Sequence, residues 1–520
     1  MPPLTSLEKL HRSPQDVARW QKAQQQLIGG RPGPALAGYR DLVKRWPSVA
    51  QLWFELGVAA GGDLDFALAD QAFRHAMELA PNDASLHILM GQHYHRFRRM
   101  DQASACFERA VAADPASAQA RNSLATWLER ERRLGDAWDC VEACLARHPQ
   151  DGQARYFRAF LLHRQGRNAE AETAVRDLLK TGLLDPQVKF SSLHLLGVVL
   201  DELGQYAEAM RWLGEAKLEL RRLTDTAKLE RDYDHADRDR RALLASLTPD
   251  AIRRWRQEAP GEPRARGLAF LGGHPRSGTT LLEQVLGAHP EIRAFDESEA
   301  FVLEVLTPMV PAPASKGLTL ETLDSLGAGW RTNLRRRYFK SVLREADGEP
   351  NARVLLDKNP SPTTSLPLWL RVFPELKVLI ALRDPRDVIV SCYFQNLALT
   401  TINVNFLSLE RTVKHYADLM DVWLRMRELG GFDWIETRYE DLVENLEAEG
   451  RRVTEFLDLA WHPEQANFHA SARQKIVFAP NYESVGQPVH KRAVGRWEHY
   501  ADALAPFQDR LAPYCRAFGY

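Results

Sequence analysis

The chain has 520 residues, more than the roughly 100–200 of a single domain, so two or three domains are expected. Its 68 Lys and Arg residues nearly balance 69 Asp and Glu residues, and a net charge of -1 excludes a global field that would hold nucleic acid or an anionic membrane. No apolar run of about 18 residues predicts a membrane span, and the first residues lack a signal peptide's apolar segment. We therefore expect a soluble, cytoplasmic protein whose anion sites are local.

The five cysteines are too few and too scattered for a disulfide framework, which fits a reducing compartment. Cys140 and Cys144 are four residues apart and could share a helix face. No further Cys or His stands at the spacing that a metal pair would need. We therefore interpret both as packing residues and expect no metal cofactor.

The amino-terminal half repeats a pattern at an interval of 34 residues, marked by Pro81, Pro115 and Pro149. Small or apolar residues recur at fixed offsets before each proline, and a glycine marks an earlier helix in the same frame. The pattern predicts pairs of antiparallel helices in which a small residue allows close approach. The frame contains Ala69, Phe73, Ala76, Ala103, Phe107, Ala110, Ala137, Val141, Cys144, Ala171, Val175, Leu178, Ala209 and Ala216, with Ala35, Tyr39 and Leu42 in a degenerate first unit.

This pattern resembles tetratricopeptide repeats over residues 34–220, with an insertion near 183–186. The resemblance implies an α-solenoid, a superhelix with a concave surface. We predict that this surface binds a peptide or protein partner or mediates self-association; a rigid appendage is the alternative. Residues 1–33 are expected to form an amino-terminal helical segment. The region 221–262, densely charged up to about residue 241, is expected to be a solvated helical connector, because its acids alternate with bases.

A glycine-containing loop follows an apolar strand pattern after residue 266. Residues 267–280 read GLAFLGGHPRSGTT and lead into an apolar helix pattern. Such a turn aims backbone N–H groups and the positive end of a helix dipole at one point, where a phosphate or sulfate can lie. The spacing is not that of a nucleoside triphosphatase, because Arg276 precedes Gly278 and no lysine follows it. Three hydroxyl donors add to the loop: Ser277, Thr279 and Thr280.

A second apolar strand pattern, at 376–382, runs into the sequence RDPRDVIVS. Arg383 ends this strand and Ser391 stands eight residues later, inside the next helix. The two can meet at a single phosphate as a charged fork and a hydroxyl. For this segment taken alone, an ordinary surface ion pair between Arg383 and Asp387 is the alternative.

Carboxylates follow the first loop, and a lysine ends a third apolar strand pattern. Residues 295–299 read FDESE, and a carboxylate within reach of an acceptor hydroxyl can take its proton. Asp296, Glu297 and Glu299 are all candidates for this general base. Lys358 is the lysine, and a simple solvated side chain is the alternative to a functional one.

The loop and the second segment together resemble the sulfotransferase family. The string PRSGTT resembles its 5'-phosphosulfate loop, and RDPRDVIVS its 3'-phosphate-binding segment. The resemblance implies an α/β fold over residues 263–520, with a P-loop-like parallel sheet flanked by helices. It also implies a 3'-phosphoadenosine 5'-phosphosulfate (PAPS) co-substrate at the carboxyl ends of the strands. The implied 5'-phosphosulfate contacts are Arg276, Ser277, Gly278, Thr279 and Thr280, and the implied 3'-phosphate contacts are Arg383 and Ser391.

The register resembles the protein-tyrosine sulfotransferase branch. Its catalytic Glu stands 21 residues after the loop arginine, as Glu297 does after Arg276, and this favours Glu297 as the base. Its matching lysine, here Lys358, contacts the bridging oxygen, where a cation would neutralise charge growing on the leaving phosphate. Asp296 and Glu299 remain alternatives.

Two weaker matches lie toward the end of the chain. Tyr439 matches the tyrosine near the adenine, and Arg496 lies in the closing segment. Gly495 stands where the branch has a serine on the transferred sulfate, so the acceptor stays open among a phenol, a peptide tyrosine, a sugar and a lipid. The branch's transmembrane anchor is absent, and the chain looks like a bacterial-type fusion of repeats to a sulfotransferase.

The sequence therefore predicts a PAPS-dependent sulfotransferase that moves a sulfuryl group by in-line transfer to an acceptor hydroxyl, without a metal. The repeats favour a peptide or protein acceptor. A catalytically silent, nucleotide-binding scaffold is the alternative from another class. A nucleotide kinase is disfavoured, because the loop lacks the lysine after its glycine and no clear Mg²⁺-binding acid motif is present.

Overall fold

Two units make up the chain, Met1–Leu195 (unit 1) and Leu196–Tyr520 (unit 2). The computed structural model describes residues 13–97, 99–182, 184–258, 266–310, 317–345, 352–396, 398–469 and 491–520. The domain boundaries predicted after residues 33, 220 and 262 stay a prediction.

Successive helices joined by short loops build unit 1. Several are preceded by an Asp or Ser N-cap whose side chain accepts a hydrogen bond from a backbone N–H of the first turn. These N-caps are Asp65, Asp83, Ser117 and Asp151. The helices are α1 Pro14–Ile28, α2 Pro32–Arg45, α3 Ala50–Gly62, α4 Phe66–Leu79, α5 Ala84–Arg96, α6 Met100–Ala113, α7 Ala118–Arg130, α8 Leu134–Arg147, α9 Gly152–Arg164 and α10 Asn168–Leu179; α11 Pro186–Glu202 runs from unit 1 into unit 2.

The glycines of the repeat frame face large side chains of the partner helix. A Cβ on Gly57 would lie 2.5 Å from the Phe73 ring, and a Cβ on Gly91 would lie 2.9 Å from the Phe107 ring. A side chain at either position would force the paired helices apart, which confirms the predicted close approach. Cys144 is buried at its packing position and is free, as predicted. The other frame residues are buried as well: Ala35, Tyr39, Leu42, Ala69, Phe73, Ala76, Ala103, Phe107, Ala110, Ala137, Val141, Ala171, Val175, Leu178, Ala209 and Ala216.

Unit 2 contains a five-stranded parallel sheet in the order β2-β3-β1-β4-β5. The strands are β1 Gly267–Gly273, β2 Ile292–Asp296, β3 Val354–Lys358, β4 Lys377–Leu382 and β5 Asp433–Arg438. The residues of β3 are all buried, as expected for a strand covered on both faces. The predicted parallel sheet is thus confirmed.

The helices of unit 2 lie before, between and after these strands. They are α12 Tyr206–Leu223, α13 Thr226–Ser246, α14 Pro249–Gln257, α15 Thr279–Gly287, α16 Thr307–Met309, α17 Leu320–Asp324, α18 Ala328–Glu345, α19 Leu366–Val372, α20 Pro385–Tyr393, α21 Leu409–Leu429, α22 Tyr439–Glu444, α23 Leu446–Phe456, α24 Ala501–Leu504 and α25 Gln508–Phe518. A π-helical turn at Val302–Leu306 precedes α16, and a 3₁₀ turn at Arg496–Tyr500 precedes α24.

Strand order fixes where a ligand can enter the sheet. β1 and β4 are neighbours, but the chain leaves β1 toward one edge, for β2, and leaves β4 toward the other edge, for β5. Divergent connections open a crevice at the carboxyl ends of the two strands. The loops after β1 and β4 line this crevice, and they contain the two segments that the sequence analysis singled out.

The charged region after residue 221 is not simply a solvated connector. Tyr233 and Asp237 of α13 are buried, and the Tyr233 hydroxyl donates to Asp418 of α21 at 2.9 Å. Arg411 of α21 contacts Asp234 of α13 at 2.9 Å. Charged and polar side chains of α13 therefore pair with side chains of α21, and one face of α13 is packed.

A lysine of α12 is buried in unit 2 and gives a pH-dependent prediction. Burial lowers the pKa of Lys217 to about 8. Between pH 8 and its ordinary pKa of 10.5, the folded chain therefore binds fewer protons than the unfolded chain. The contribution of Lys217 to the free energy of unfolding is fully present above this window and is lost as the pH falls through about 8. We expect the free energy of unfolding of the wild type, measured by denaturant unfolding relative to Lys217→Met, to rise by up to about 3 kcal/mol as the pH increases from about 8 to 10.5.

Lys228→Met is the matched control, because Lys228 is an exposed lysine on α13 that pairs with Asp232. Its free energy of unfolding, plotted against pH, should run parallel to that of the wild type. If the plot for Lys217→Met is also parallel to that of the wild type, the prediction is wrong.

Candidate active site

Two left-handed glycines shape the loop after β1. Gly273 has φ 123° and Gly278 has φ 95°, and a Cβ on Gly278 would lie 2.7 Å from the Tyr439 ring. Gly278 is the N-cap of α15, so Thr279 and Thr280 form its first turn. The Thr363 hydroxyl accepts from the Gly273 N–H at 2.9 Å and pins the base of the loop. Backbone donors and a helix N-terminus are thus directed into the crevice.

Arg276 lies between the two predicted 3'-phosphate contacts. Its Nε donates to the Ser391 hydroxyl at 3.1 Å, and its carbonyl accepts from Arg383 Nη1 at 3.3 Å. Arg276 also adopts φ 74°, which is uncommon outside glycine. Burial lowers the pKa of Arg276 to about 10, and the cations of Arg383 and Arg496 act in the same direction. An anion at this point would relieve the repulsion among these cations.

Asp387 joins α20 to the closing segment at 493–500. Its carboxylate accepts from the N–H groups of Gly495 at 2.9 Å and Trp497 at 2.8 Å. Gly495 has φ 72°, a conformation that suits glycine at this position. Arg383 lies 3.7 Å from Asp387, and it donates to the carbonyl of Ala493. Both side chains of the pair are almost fully buried, so the pair is not the surface ion pair considered as the alternative.

Two polar groups in the crevice are buried without a partner. Within the described part of the chain, neither the Ser277 hydroxyl nor Arg383 Nε has a hydrogen-bond partner. A buried polar group without a partner destabilises the fold unless a ligand or water satisfies it. The Tyr439 ring lies beside them, 5.1 Å from the Arg383 guanidinium. Donor hydroxyls, guanidinium groups and an aromatic face fit a phosphorylated nucleotide.

Lys358 is buried beneath two carboxylates. It ends β3 in register with Leu271 of β1 and Asp296 of β2. Its ammonium pairs with Asp296 and lies 3.5 Å from Glu297 Oε1. Burial acts to lower the pKa of Lys358, but Asp296, Glu297 and Glu283 raise it above its usual value. The ammonium is therefore charged and held in place, which rules out the solvated lysine considered as the alternative.

The three candidate bases differ in their surroundings. The Asp296 side chain is only 13% exposed against Lys358, whereas that of Glu297 is 45% exposed. Glu297 has φ 52°, and its N–H donates to the Lys358 carbonyl at 2.8 Å. Glu299 is exposed two residues further on. Glu297 thus combines proximity to Lys358 with access to solvent.

Side chains that the sequence analysis did not select support the loop from beneath. The rings of His274 and His415 are buried and hydrogen-bonded, with Nε2 and Nδ1 2.8 Å apart. Burial lowers the pKa of His274 to about 4, so this pair is neutral at pH 7. The Cys392 thiol donates to the carbonyl of Pro275 at 3.6 Å. His274 lies in the first quoted segment and Cys392 directly follows the second, but nothing in the local sequence points to Thr363 or His415.

Comparison with known proteins matches the same regions. The model of the sulfotransferase family matches residues 269–463, and that of the tetratricopeptide repeat matches 88–139 and 129–182. This chain contains a sulfotransferase-family domain. Ahead of that domain it contains tetratricopeptide repeats, as the sequence predicted.

Relatives of the sulfotransferase domain include two proteins named as tyrosine sulfotransferases. Protein-tyrosine sulfotransferase A of Caenorhabditis elegans is 26% identical, over 50% of this chain and 69% of that protein. Protein-tyrosine sulfotransferase 2 of Gallus gallus is 26% identical, over 49% of this chain and 69% of that protein. The sulfotransferase domain of the Synechococcus PCC 7002 olefin synthase is 18% identical with a TM-score of 0.31, over 46% of this chain and 90% of that chain.

The sulfotransferase domain brings most of the predicted residues to one edge of the sheet. The cation of Arg496 lies close enough to lower the pKa of Arg276, but its guanidinium also bonds to Asp201 at 2.6 Å and lies 4.2 Å over the Phe394 ring. Within the described ranges, no cluster of three or more His, Cys, Asp or Glu side chains could hold a metal ion. Among the helices of these ranges, none is both long and apolar enough to cross a membrane. The cytoplasmic location stays a prediction.

Proposed function

We propose that the sulfotransferase domain transfers the sulfuryl group of PAPS to a hydroxyl acceptor. The observation that supports this most directly is the convergence of the loops after β1 and β4 on two buried polar groups without a partner among the described residues, the Ser277 hydroxyl and Arg383 Nε. PAPS supplies an activated sulfuryl group on a nucleotide with two phosphate-containing ends. The crevice offers two adjoining sets of hydrogen-bond donors, each with a cationic guanidinium, to the anionic 5'-phosphosulfate and to the anionic 3'-phosphate.

The residues of the crevice fall into two binding roles. Arg276, Ser277, Gly278, Thr279 and Thr280 would hold the 5'-phosphosulfate through side chains and the first turn of α15. Arg383 and Ser391 would bind the 3'-phosphate, and the Tyr439 ring would lie near the adenine. We leave Arg496 out of this set, because Asp201 and Phe394 occupy its guanidinium.

Two residues would perform the chemistry. Glu297, with its exposed carboxylate, would take the proton of the acceptor hydroxyl as that oxygen attacks sulfur in line. Lys358 is buried and charged, and it would stabilise the negative charge that develops on the departing phosphate oxygen. Asp296 would hold the Lys358 ammonium at that point.

The repeats favour a peptide or protein acceptor. Repeat arrays of this type form extended surfaces that bind other chains. The two relatives are named for the sulfation of protein tyrosine, and this chain matches them across its sulfotransferase domain. We propose a peptide or protein hydroxyl, tyrosine in particular, as the acceptor, and a protein partner or a second copy of the chain as the ligand of the repeat surface.

Calorimetric titration with 3'-phosphoadenosine 5'-phosphate (PAP) tests the nucleotide site. We expect saturable binding by the full chain, and weaker binding of adenosine 5'-phosphate, which lacks the 3'-phosphate. Arg383→Lys keeps the positive charge but loses the bidentate geometry of the guanidinium. It should therefore weaken PAP binding by roughly 10-fold or more and leave the affinity for adenosine 5'-phosphate nearly unchanged. Arg451→Lys is the matched control, because Arg451 pairs on the exposed surface of α23.

The outcomes separate the alternatives. Equal binding of both nucleotides would refute the 3'-phosphate role of Arg383. No binding of either nucleotide by folded protein would refute the PAPS site. Tight PAP binding without sulfate transfer from PAPS to any of a phenol, a tyrosine peptide or a sugar would favour the silent scaffold.

A further inference from the structure

The end of α11 and all of α12, the last helices of the repeat frame, belong to unit 2, which also contains the nucleotide crevice. Asp201 lies in the last turn of α11, in unit 2, and Gly204, with φ 74°, turns the chain into α12. A Cβ on Gly197 would lie 2.6 Å from Leu213, so the pair is packed as the other repeats are. Its outer residues contact the closing segment at 493–500.

Asp201 makes two bonds to that segment. One carboxylate oxygen accepts from Arg496 Nη2 at 2.6 Å, and the other accepts from the Tyr500 hydroxyl. The Asp201 side chain is 11% exposed and that of Arg496 is 24% exposed, so the pair is largely withdrawn from water. Such an ion pair is harder to replace with solvent than an exposed pair.

Aromatic packing closes around the same contact. The Tyr206 ring, at the start of α12, stacks on His499 with a centroid distance of 4.1 Å. Phe394, just after α20, packs against Tyr500 at 5.5 Å and under the Arg496 guanidinium at 4.2 Å. The side chains of the closing segment are therefore held by α11, α12 and the end of α20.

The backbone of the closing segment in turn contacts the crevice. Ala493 accepts from Arg383, and Gly495 and Trp497 donate to Asp387, the ion-pair partner of Arg383. The direction of the Arg383 fork thus depends on where this backbone lies. A shift of about 1 Å is enough to weaken a bidentate contact.

We propose that Asp201 is a positioning residue for the nucleotide site, which acts through Arg496 and the closing segment on Arg383. This inference rests on the proposed function. It makes Asp201, at the end of the repeat frame, a structural element of the 3'-phosphate site within unit 2. Asp201 itself is not among the proposed nucleotide contacts.

Asp201→Asn tests this role through the ratio of the Kd for adenosine 5'-phosphate to the Kd for PAP. Loss of a negative charge near an anion site would favour the more highly charged PAP and raise the ratio, whereas loss of positioning weakens only the 3'-phosphate contact and lowers the ratio. We expect the ratio to fall about 5-fold or more. Glu202→Gln is the matched control, because Glu202 is the exposed neighbour and undergoes the same charge change. Its ratio should equal that of the wild type.

A double-mutant cycle separates positioning from general destabilisation. In an Arg496→Gln background, Asp201→Asn should lower the ratio no further, because the shared ion pair is already broken. Tyr500→Phe removes the other bond of Asp201, and it should lower the melting temperature while it keeps the ratio. If Asp201→Asn does not fold, Arg496→Gln breaks the same ion pair and must lower the ratio by itself.

A wild-type ratio in Asp201→Asn, with intact nucleotide binding by the wild type, would overturn this inference and leave the proposed function standing. A ratio that falls equally in Tyr500→Phe would also overturn it, since loss of packing would then explain the effect. Failure of the wild type to bind either nucleotide would overturn the proposed function, and the inference with it.

Discussion

Replacement of Glu297 by Gln is expected to lower turnover by about 10²–10⁴-fold and to leave the Kd for PAP within about 2-fold of the wild type. Gln keeps the length and shape of the side chain but cannot take the acceptor proton. The Glu297 carboxylate lies 3.5 Å from Lys358 and reaches solvent, and the nucleotide contacts proposed above are made by other residues. Sulfate transfer from PAPS to a tyrosine peptide, together with calorimetry for PAP, measures both quantities.

Glu299→Gln is the matched control for this prediction. Glu299 is exposed two residues after Glu297 and changes charge in the same way. We expect its turnover to stay within a few-fold of the wild type, because no bond links it to Lys358 or to the loop after β1. A large loss in Glu299→Gln with normal turnover in Glu297→Gln would exchange the two roles.

Local motifs predicted the crevice because short segments determine its geometry. The loop after β1 and the segment after β4 each combine a strand end, a turn and the first turns of a helix within about ten residues. Such units fold the same way wherever their apolar strand is buried. The sheet order places β1 beside β4 and so brings both loops together.

The choice among three nearby acids could not be made from local chemistry. Asp296, Glu297 and Glu299 stand within four residues, and each is a carboxylate. Strand register distinguishes them: Asp296 is the last residue of β2 and lies opposite Lys358, whereas Glu297 begins the turn at φ 52°. The resemblance to the protein-tyrosine sulfotransferase branch favoured Glu297 as the base. The strand register explains why Asp296 instead pairs with the Lys358 ammonium.

Hydrogen-bond partners that are distant in the chain could not be predicted from the sequence, for a different reason. Thr363 bonds the loop from 90 residues away, and Asp201 bonds Arg496 from 295 residues away. No periodicity or motif connects such pairs, because they meet only through packing of whole elements. Arg496 was predicted to bind the cofactor on the strength of its segment, and nothing in that segment indicates its bond to Asp201. Its role at the cofactor stays a prediction.

Replacement of Lys358 by Met should affect both folding and turnover. The Lys358 side chain is fully buried, so its loss leaves Asp296 charged, largely buried and without its cation. We expect the free energy of unfolding to fall by about 3–5 kcal/mol, measured by denaturant unfolding. We also expect turnover of the remaining folded protein to fall by about 10²–10³-fold, because no cation then stabilises the departing oxygen.

The double variant Asp296→Asn/Lys358→Met separates these two effects. Removing both charges should restore much of the lost stability, since neither side chain is then a buried, unpaired ion. Turnover should stay as low as in Lys358→Met, because stability is regained without the cation. Asp296→Asn alone keeps Lys358, and Glu297 remains 3.5 Å from its ammonium, so this variant should retain more activity than the double variant. If the double variant recovers turnover together with stability, Lys358 supports the fold and does not stabilise the leaving group.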